Sequence, residues 1–166
     1  QLDMAIKSYN KAIALNPNHA NAYYNLGIAY KDKGQLDMAI KSYNKAIALN
    51  PNHANAYYNL GIAYKDKGQL DMAIKSYNKA IALNPNDADA YKSLGNAYKS
   101  NGQLDMAIES YNKAIALNPN LVVAYNNRGL AYSAKGQHGK AVSDFKKACE
   151  LGLEIGCDNV LRITRK

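Results

Sequence analysis

The sequence has no tryptophan and one phenylalanine, so its fourteen tyrosines supply nearly all of the aromatic surface. Cysteine and proline are also scarce, with two and four residues. No apolar run approaches the roughly 20 residues that a membrane-spanning helix needs, and we therefore expect no membrane-spanning segment. The chain begins at Gln1, with no initiator methionine and no charged-then-apolar leader. Its localisation therefore cannot be predicted from the N-terminus.

Motifs for catalysis and metal binding are absent as well. The sequence contains no HExxH, no phosphate-cradling glycine loop, no GxSxG and no cysteines at zinc-ligand spacing. His19 and His53 stand at the end of repeated units in which other copies carry Asp87 and Leu121. We therefore expect no catalytic residue, no metal site and no cofactor, and we predict that the protein is not an enzyme.

Repetition is the main feature that is present. The stretch QLDMAIKSYNKAIALNPN occupies residues 1–18, 35–52 and 69–86, and it returns at 103–120 with one residue changed. An enzyme site needs different groups that converge on one point, so near-identical copies at a fixed period indicate a modular scaffold. Glycines and prolines mark the period of 34 residues, at Gly34, Gly68, Gly102 and Gly136 and at Pro17, Pro51, Pro85 and Pro119.

Between these marks, each unit has the pattern of two amphipathic helices. In the first helix, Tyr23, Leu26 and Tyr30 form one apolar stripe, and the second helix has a broader stripe. Gly34 can adopt the left-handed conformation that ends the first helix. The second helix must end before Pro51.

The unit ANAYYNLGIAYKDKGQLDMAIKSYNKAIALNPNH resembles the tetratricopeptide repeat. The residues of the first unit that match the family pattern are Tyr23, Leu26, Gly27, Tyr30, Gly34, Ala39, Tyr43, Ala46 and Pro51. The resemblance implies an all-α solenoid of tandem helix-turn-helix units, stacked as a right-handed superhelix whose concave groove is lined by first helices. It implies repeats at 20–53, 54–87 and 88–121 and a degenerate repeat at 122–155. The second helix of a partial repeat precedes them at 1–19, and a capping helix follows at 156–166.

Members of this family bind peptides or proteins in that groove, so the resemblance implies a ligand face on the first helices. In the first two units, a tyrosine and an isoleucine one turn apart form an apolar strip with a polar margin, as a peptide groove would. The predicted groove residues are Asn21, Tyr24, Asn25, Ile28, Lys31, Asn55, Tyr58, Asn59, Ile62, Lys65, Lys92, Asn96, Lys99 and Asn127.

Three of these asparagines, Asn25, Asn59 and Asn127, resemble the asparagine ladder with which repeats of this family grip a peptide backbone. A carboxamide both donates and accepts, so it can bind a main chain without selecting side chains. Ser93 interrupts the series. The alternative is that asparagine is simply frequent at this position in the family.

A second resemblance concerns Lys92 and Asn96, one turn apart, and Asn127, which follows 31 residues later. They resemble the first part of the carboxylate clamp that holds acidic C-terminal peptides through charge-assisted hydrogen bonds. The next clamp positions fall at Cys157 and Leu161, which offer no cation. The alternative interpretation is a solvated polar patch.

The fourth unit carries two changes that look paired. Arg128 stands where the first three units have leucine, and Asp144 stands where they have serine. A lone arginine at a packing position would lose much of its hydration, so the simultaneous arrival of an acid predicts a salt bridge between the two helices.

Both cysteines lie in the string KACELGLEIGC near the C-terminus. Gly152 can end a helix after Cys149, and Cys157 returns eight residues later, within reach of a disulfide across the corner. The string resembles Sel-like repeats, in which such a pair is oxidised, and this would imply a periplasmic or exported protein. The alternative is a pair of partly buried free thiols in a cytoplasmic protein.

The terminal segments are expected to differ from the repeats. A capping helix over 156–165 should pack through Val160, Leu161 and Ile163, with its basic residues facing water; these are Arg162, Arg165 and Lys166. At the other end, residues 1–16 form a second helix that lacks its first helix. Either more repeats precede it, or it pairs with another molecule and the protein forms a homo-oligomer.

Two function classes remain: a peptide- or protein-binding adaptor, which we favour, and a self-assembling scaffold. Nucleic-acid binding is less favoured despite the net charge of +8, because the lysines of the second helices do not form a one-sided basic stripe. The sequence identifies no ligand, and it does not distinguish natural duplication from engineered repeats.

Overall fold

The computed structural model describes residues 1–164, and in that part of the chain the fold consists of ten α-helices and no strands. This confirms the predicted all-α class. The chain divides into two compact units, Gln1–Pro85 (unit 1) and Asn86–Lys166 (unit 2).

Unit 1 contains five helices: α1 (Leu2–Leu15), α2 (Ala20–Asp32), α3 (Leu36–Leu49), α4 (Ala54–Asp66) and α5 (Leu70–Leu83). Its hairpin pairs are α2 with α3 and α4 with α5, while α1 packs on α2 and α3 packs on α4. The first helices are therefore α2 and α4, and the second helices are α1, α3 and α5.

Unit 2 contains the other five: α6 (Ala88–Ser100), α7 (Leu104–Leu117), α8 (Val122–Ala134), α9 (His138–Glu150) and α10 (Glu154–Thr164). Here α6 pairs with α7 and α8 with α9, and α10 packs on α9 as α8 packs on α7. By this packing, α10 occupies the place of a first helix.

The turn inside each hairpin depends on a glycine with positive φ. Gly34 has φ of 76°, a conformation that an L side chain adopts at a cost, and no atom would crowd a Cβ there. The Gly34 amide donates to the Lys31 carbonyl and the Gln35 amide to the Tyr30 carbonyl, which satisfies carbonyls at the end of α2. Backbone conformation therefore requires this glycine.

Each hairpin closes around an aromatic ring that lies on a glycine. Tyr43 on α3 is fully buried, and a Cβ on Gly27 would lie 2.5 Å from its ring. Gly129 has the same relation to Phe145 in unit 2, at 2.7 Å. Because nothing larger than a hydrogen fits, the glycine sets how closely the two helices approach.

Ion pairs join successive repeats at a spacing of 30 residues. In unit 1, Lys33 pairs with Asp3 and Lys67 with Asp37, and in unit 2 Lys135 pairs with Asp105. Each pair links the end of one first helix to the start of the preceding second helix. The aspartate of each pair is largely exposed, so each pair contributes little stability.

The final helix departs from its prediction. It begins at Glu154, two residues before the place that a 34-residue period gives, because Gly152 (φ 95°) ends α9 and the following turn is short. Leu161 is 49% exposed, so its predicted packing role is wrong; Gly156 and Asn159 are the buried residues of this helix. Val160 and Ile163 are half-buried. The predicted outward positions of Arg165 and Lys166 lie outside the described residues.

None of the helices within residues 1–164 has the length and apolar character needed to cross a membrane.

Candidate peptide-binding site

The predicted ligand face of unit 1, here called the first-helix face, is carried by α2 and α4. Tyr24 and Ile28 are half-buried rather than open, because both pack against the core cluster that contains Tyr43. The ring of Tyr24 lies 4.7 Å from that of His53 and 6.1 Å from that of Tyr43. The strip therefore takes part in the packing of the repeats as well as facing the predicted groove.

Apart from Tyr58 and Ile62, the remaining residues of this face are polar. Asn21 and Asn55 are exposed, and Asn25, Ile62 and Tyr58 are half-buried. The two predicted groove lysines have adjacent acids: Lys31 pairs with Asp32 at 3.1 Å and Lys65 with Asp66 at 3.3 Å. An incoming carboxylate would have to compete with these aspartates.

Asn59, one of the predicted ladder residues, uses both of its amide hydrogens inside the protein. Its Nδ2 donates to the hydroxyl of Tyr24 at 3.1 Å and to the carbonyl of Asn55 at 3.0 Å. The first bond joins α4 to α2. The geometry therefore gives this asparagine a structural role and leaves only its Oδ1 for a ligand.

Unit 2 presents a different set of polar groups, here called the carboxamide patch and defined by Lys92, Asn96, Lys99 and Asn127. Asn96 Oδ1 accepts from the hydroxyl of Tyr111 at 2.7 Å and from Asn127 Nδ2 at 2.9 Å. With its oxygen engaged twice, Asn96 keeps both hydrogens of Nδ2 without an acceptor among the described residues. The patch thus holds an amide donor in a fixed orientation.

The two lysines of the patch differ. Lys92 pairs with Asp89 on the same helix, as an i,i+3 pair. Lys99 is followed by Ser100 instead of an aspartate, and it has no acidic partner among residues 1–164. It is half-buried, and burial lowers its pKa from the ordinary value. Lys99 is therefore the cation that an anionic ligand could neutralise.

The clamp positions beyond Asn127 change with the register of α10. Counted from the start of the helix, they fall at Ile155 and Asn159 instead of Cys157 and Leu161, and neither offers a cation. Asn159 is the sixth residue of its helix, as Asn59 and Asn127 are of theirs.

Asn159 belongs to the asparagine series, and the sequence prediction missed it. Its Nδ2 donates to Asn126 Oδ1 at 3.0 Å, and both side chains are buried. This bond repeats the one from Asn59 to Tyr24, from the sixth residue of a first helix to the fifth residue of the previous one. The signal that could have revealed it is Gly152, which shortens the turn.

The predicted pair of Arg128 and Asp144 forms a bidentate contact between α8 and α9. Arg128 Nε lies 2.8 Å from Asp144 Oδ2, and its second terminal nitrogen lies 2.7 Å from Oδ1. The third guanidinium nitrogen donates to Asn112 on α7 at 2.7 Å. Burial opposes the charge of Arg128, but the hydrogen bonds and charge of Asp144 outweigh it and raise the pKa of the guanidinium.

The rings of Tyr125 and Tyr132 flank this guanidinium. Their centroids lie 5.5 and 5.9 Å from the guanidinium carbon of Arg128, Cζ. This distance allows a cation–π attraction with each ring. The arginine thus fills an aromatic cleft and has a hydrogen-bond partner for each of its donor nitrogens.

Cys149 and Cys157 form a disulfide, with their Cα atoms 4.9 Å apart. Next to it, a Cβ on Gly156 would lie 2.9 Å from the Cys149 nitrogen and from the Phe145 carbonyl oxygen. Close approach and a covalent bond together hold α10 on α9.

Arg162 is exposed, as predicted. It also borders a cavity of about 450 Å³ whose other walls include Leu130, His138 and Phe145. Among the described residues no cluster of histidine, cysteine or acidic side chains could hold a metal ion.

Family models of the tetratricopeptide repeat match residues 1–34, 29–68, 63–102, 95–136 and 122–151. The chain therefore belongs to the tetratricopeptide repeat family, as its sequence pattern predicted. The matches end at residue 151, so the resemblance of the tail to Sel-like repeats stays a prediction.

Solved structures of tetratricopeptide repeat proteins share this fold. A MamA crystal structure is 42% identical and superposes with a TM-score of 0.88, covering 90% of this chain and 88% of that one. MamA from Desulfovibrio magneticus RS-1 is 29% identical, with a TM-score of 0.86 and coverage of 90% and 85%.

YrrB is described as a TPR protein with an unusual peptide-binding site. It is 26% identical to this chain, with a TM-score of 0.85 and coverage of 99% and 84%. Curated protein sequences gave no significant match.

Proposed function

We propose that the protein is a non-catalytic interaction scaffold that binds an acidic peptide, or a peptide with a free C-terminal carboxylate, at the carboxamide patch of unit 2. The observation that supports this most is the environment of Asn96. Its oxygen is held by Tyr111 and Asn127, so its two N–H groups are oriented before a ligand arrives. A preoriented donor loses little entropy on binding.

Lys99 supplies the charge in this proposal. It lies three residues after Asn96 on α6, which places both side chains on one side of the helix. Lys92 lies one turn in the other direction, but it must first give up Asp89. The ammonium of Lys99 is half-buried and has no acidic partner within residues 1–164, so its charge is poorly compensated. A carboxylate ligand would compensate this charge and is therefore favoured over a neutral ligand.

A titration with one acidic peptide, as the free acid and as the amide, tests the proposal. We expect micromolar or weaker binding of the free acid, because the patch has few polar anchors. Lys99→Ala should weaken it about tenfold, since a charge-assisted bond is lost. The matched control is Lys65→Ala in unit 1, because Lys65 already forms an ion pair with Asp66; this variant should leave the affinity unchanged. Equal affinities of both peptides for all three proteins would refute the proposal.

Self-association is the second candidate, and α1 is the observation in its favour. None of its residues is buried; Met4 is 74% exposed, whereas the equivalent Met38 of α3 is 43% exposed. We propose that α1 packs against another copy of the chain. Light scattering should show a mass that rises with concentration and falls after Ile6→Lys. A strict monomer at high concentration would exclude this second function and leave the first untouched.

A further inference from the structure

Unit 1 has two clefts that the peptide-binding proposal does not use. One, of about 540 Å³, is bordered by α1, α2 and α3, and the other, of about 550 Å³, by α3, α4 and α5. Their linings correspond residue by residue at the 34-residue period. Asn44 lines both clefts, so they lie side by side.

Repeat four shows how this chain fills the equivalent space. There Arg128 lies beside Tyr125 and Tyr132 and bonds to Asp144 and Asn112. The corresponding residues of the first cleft are Leu26, Tyr23, Tyr30, Ser42 and Asn10, and all five line it. Leucine and serine are shorter than arginine and aspartate, so the same aromatic walls remain but the space between them is open.

The charge of the open clefts excludes a second arginine-like occupant. Lys41 and Lys45 line the first cleft and Lys75 and Lys79 the second, and no acidic side chain lines either. Lys45 Nζ already lies 6.0 Å from the Tyr23 ring centroid. A cationic ligand would be repelled, whereas a carboxylate would be attracted by each lysine pair.

The apolar part of each cleft lining selects the rest of the ligand. In the first cleft it includes Leu26, Met38 and Ala48, whose side chains offer no hydrogen bonds, and the second cleft has Leu60, Met72 and Ala82. An aliphatic or aromatic side chain fits such a lining because it gains by leaving water. Four lysines over two clefts would give a polynucleotide few phosphate contacts.

We propose that the paired clefts of unit 1 form a docking surface for an acidic segment of a partner protein. Two apolar side chains of the segment enter the two clefts, and carboxylates on either side of them pair with the flanking lysines. This surface shares no residue with the carboxamide patch of unit 2, so either site can fail without the other.

The chain itself suggests variants that close each cleft. Leu26→Arg with Ser42→Asp reproduces in the first cleft the pair that repeat four carries, and Leu60→Arg with Ser76→Asp does so in the second. Both clefts already have tyrosines and an asparagine equivalent to those that contact the arginine in repeat four. Both double variants should therefore fold. If the first loses its helical circular-dichroism spectrum, the surface variant Lys41→Glu with Lys45→Glu replaces it. If the second does, Lys75→Glu with Lys79→Glu replaces it.

The test uses a short capped peptide in which leucines are separated by pairs of glutamates, with ¹³C-methyl methionine as the reporter. The Met38 and Met72 methyl signals should shift during the titration, while that of Met4, which lines neither cleft, should not. Closing the first cleft should abolish the Met38 shift and weaken binding about tenfold, as loss of a central anchor does. Closing the second cleft should do the same for Met72.

Three results would overturn the proposal. One is the absence of shifts at millimolar peptide, and another is equal binding by wild type and the closed or charge-reversed variants. The third is equal binding of a peptide with serine in place of leucine, since the apolar anchors would then be irrelevant. Competition by single-stranded DNA that matches the peptide in potency would assign the surface to nucleic acid instead.

Discussion

In unit 1 the hydroxyl of Tyr43 is buried without a hydrogen-bond partner, whereas in unit 2 the hydroxyl of Tyr111 donates to Asn96. The two tyrosines occupy equivalent places on α3 and α7. The difference arises on the facing helix, where unit 1 has Ile28 at the position of Asn96. Repeat four avoids the need for a partner altogether, because it has Phe145 there. The same helix pair therefore accommodates three solutions at this ring: an unpaired hydroxyl, a hydrogen-bonded hydroxyl and no hydroxyl.

A similar difference between the units is found at the first cleft of unit 1 and the equivalent space in repeat four. Unit 1 leaves it open between Leu26 and Ser42, while unit 2 fills its version with Arg128 and Asp144. In both comparisons the helices have the same packing order, and corresponding helices differ in length by at most about one residue. The repeat pattern therefore determines the scaffold, and the residues between the pattern positions determine what each unit can bind.

The largest effect is expected from Asp144→Ser, which leaves Arg128 without its acid. Breaking a largely buried ion pair by removing one partner costs about 3 kcal/mol of unfolding free energy. The double variant Arg128→Leu with Asp144→Ser recreates the residues of repeat one, so it should recover most of that loss. Chemical denaturation, with hydrogen exchange of α8 and α9, measures both. Equal destabilisation by the single and double variants would contradict the pairing.

Reduction of the disulfide should have the next largest effect, and only in unit 2. Closing a loop of this length stabilises a protein by about 2 to 3 kcal/mol, and α10 is the element that the bond holds. Reductant, or Cys149→Ser with Cys157→Ser, should speed amide exchange in α10 and leave α2 and α4 unchanged. Intact mass should rise by two hydrogen atoms on reduction. An unchanged mass would show free thiols.

The sequence was sufficient to predict the family, the helical class and the two-helix units, because these depend on periodic features such as Gly34 and on local chain chemistry at Pro51. It was also sufficient to suggest that Arg128 and Asp144 compensate each other, because both changes occur in one unit. Such predictions need only the spacing along the chain.

Contacts that depend on small shifts of register could not be predicted in this way. The early start of α10 brings Asn159, instead of a residue two positions later, to Asn126. The half-burial of Tyr24 depends on His53 at the end of its own repeat and on Asn59 of the next repeat. Lys99 lacks an acidic partner within residues 1–164 because Ser100 stands where the first two repeats have an aspartate. Each depends on side-chain geometry that a hydrophobic period does not specify.

Tyrosine-to-phenylalanine substitutions test the opening comparison, with a smaller effect. Tyr111→Phe removes a made hydrogen bond and leaves Asn96 Oδ1 with one donor, so it should cost about 1 kcal/mol. Tyr43→Phe removes a hydroxyl that has no partner, so it should be neutral or stabilise by up to about 1 kcal/mol. Thermal denaturation of the two variants gives the sign of each change. A larger loss for Tyr43→Phe would show that its hydroxyl has a partner.

The smallest expected effect is a pH dependence that belongs to unit 1. His53 Nε2 is buried without a hydrogen-bond partner, and burial lowers the pKa of this imidazole below its ordinary value. In the unfolded chain the same group binds a proton near its ordinary pKa of about 6.5. As the pH falls from about 6.5 toward the lower pKa of His53 in the folded protein, the unfolded state gains a proton that the folded state does not. The free energy of unfolding therefore declines.

His53→Asn should remove this part of the decline between about pH 7.5 and about pH 5.5, because asparagine does not titrate. His138→Asn changes an exposed histidine of unit 2 and serves as the control. At the place of His53, unit 2 has Asp87, whose side chain accepts from the Ala90 amide at 3.0 Å and caps α6. The effect should therefore appear in hydrogen exchange of α4 and be missing in α6. An identical pH slope in wild type and His53→Asn would show that the imidazole becomes charged without cost in the folded protein.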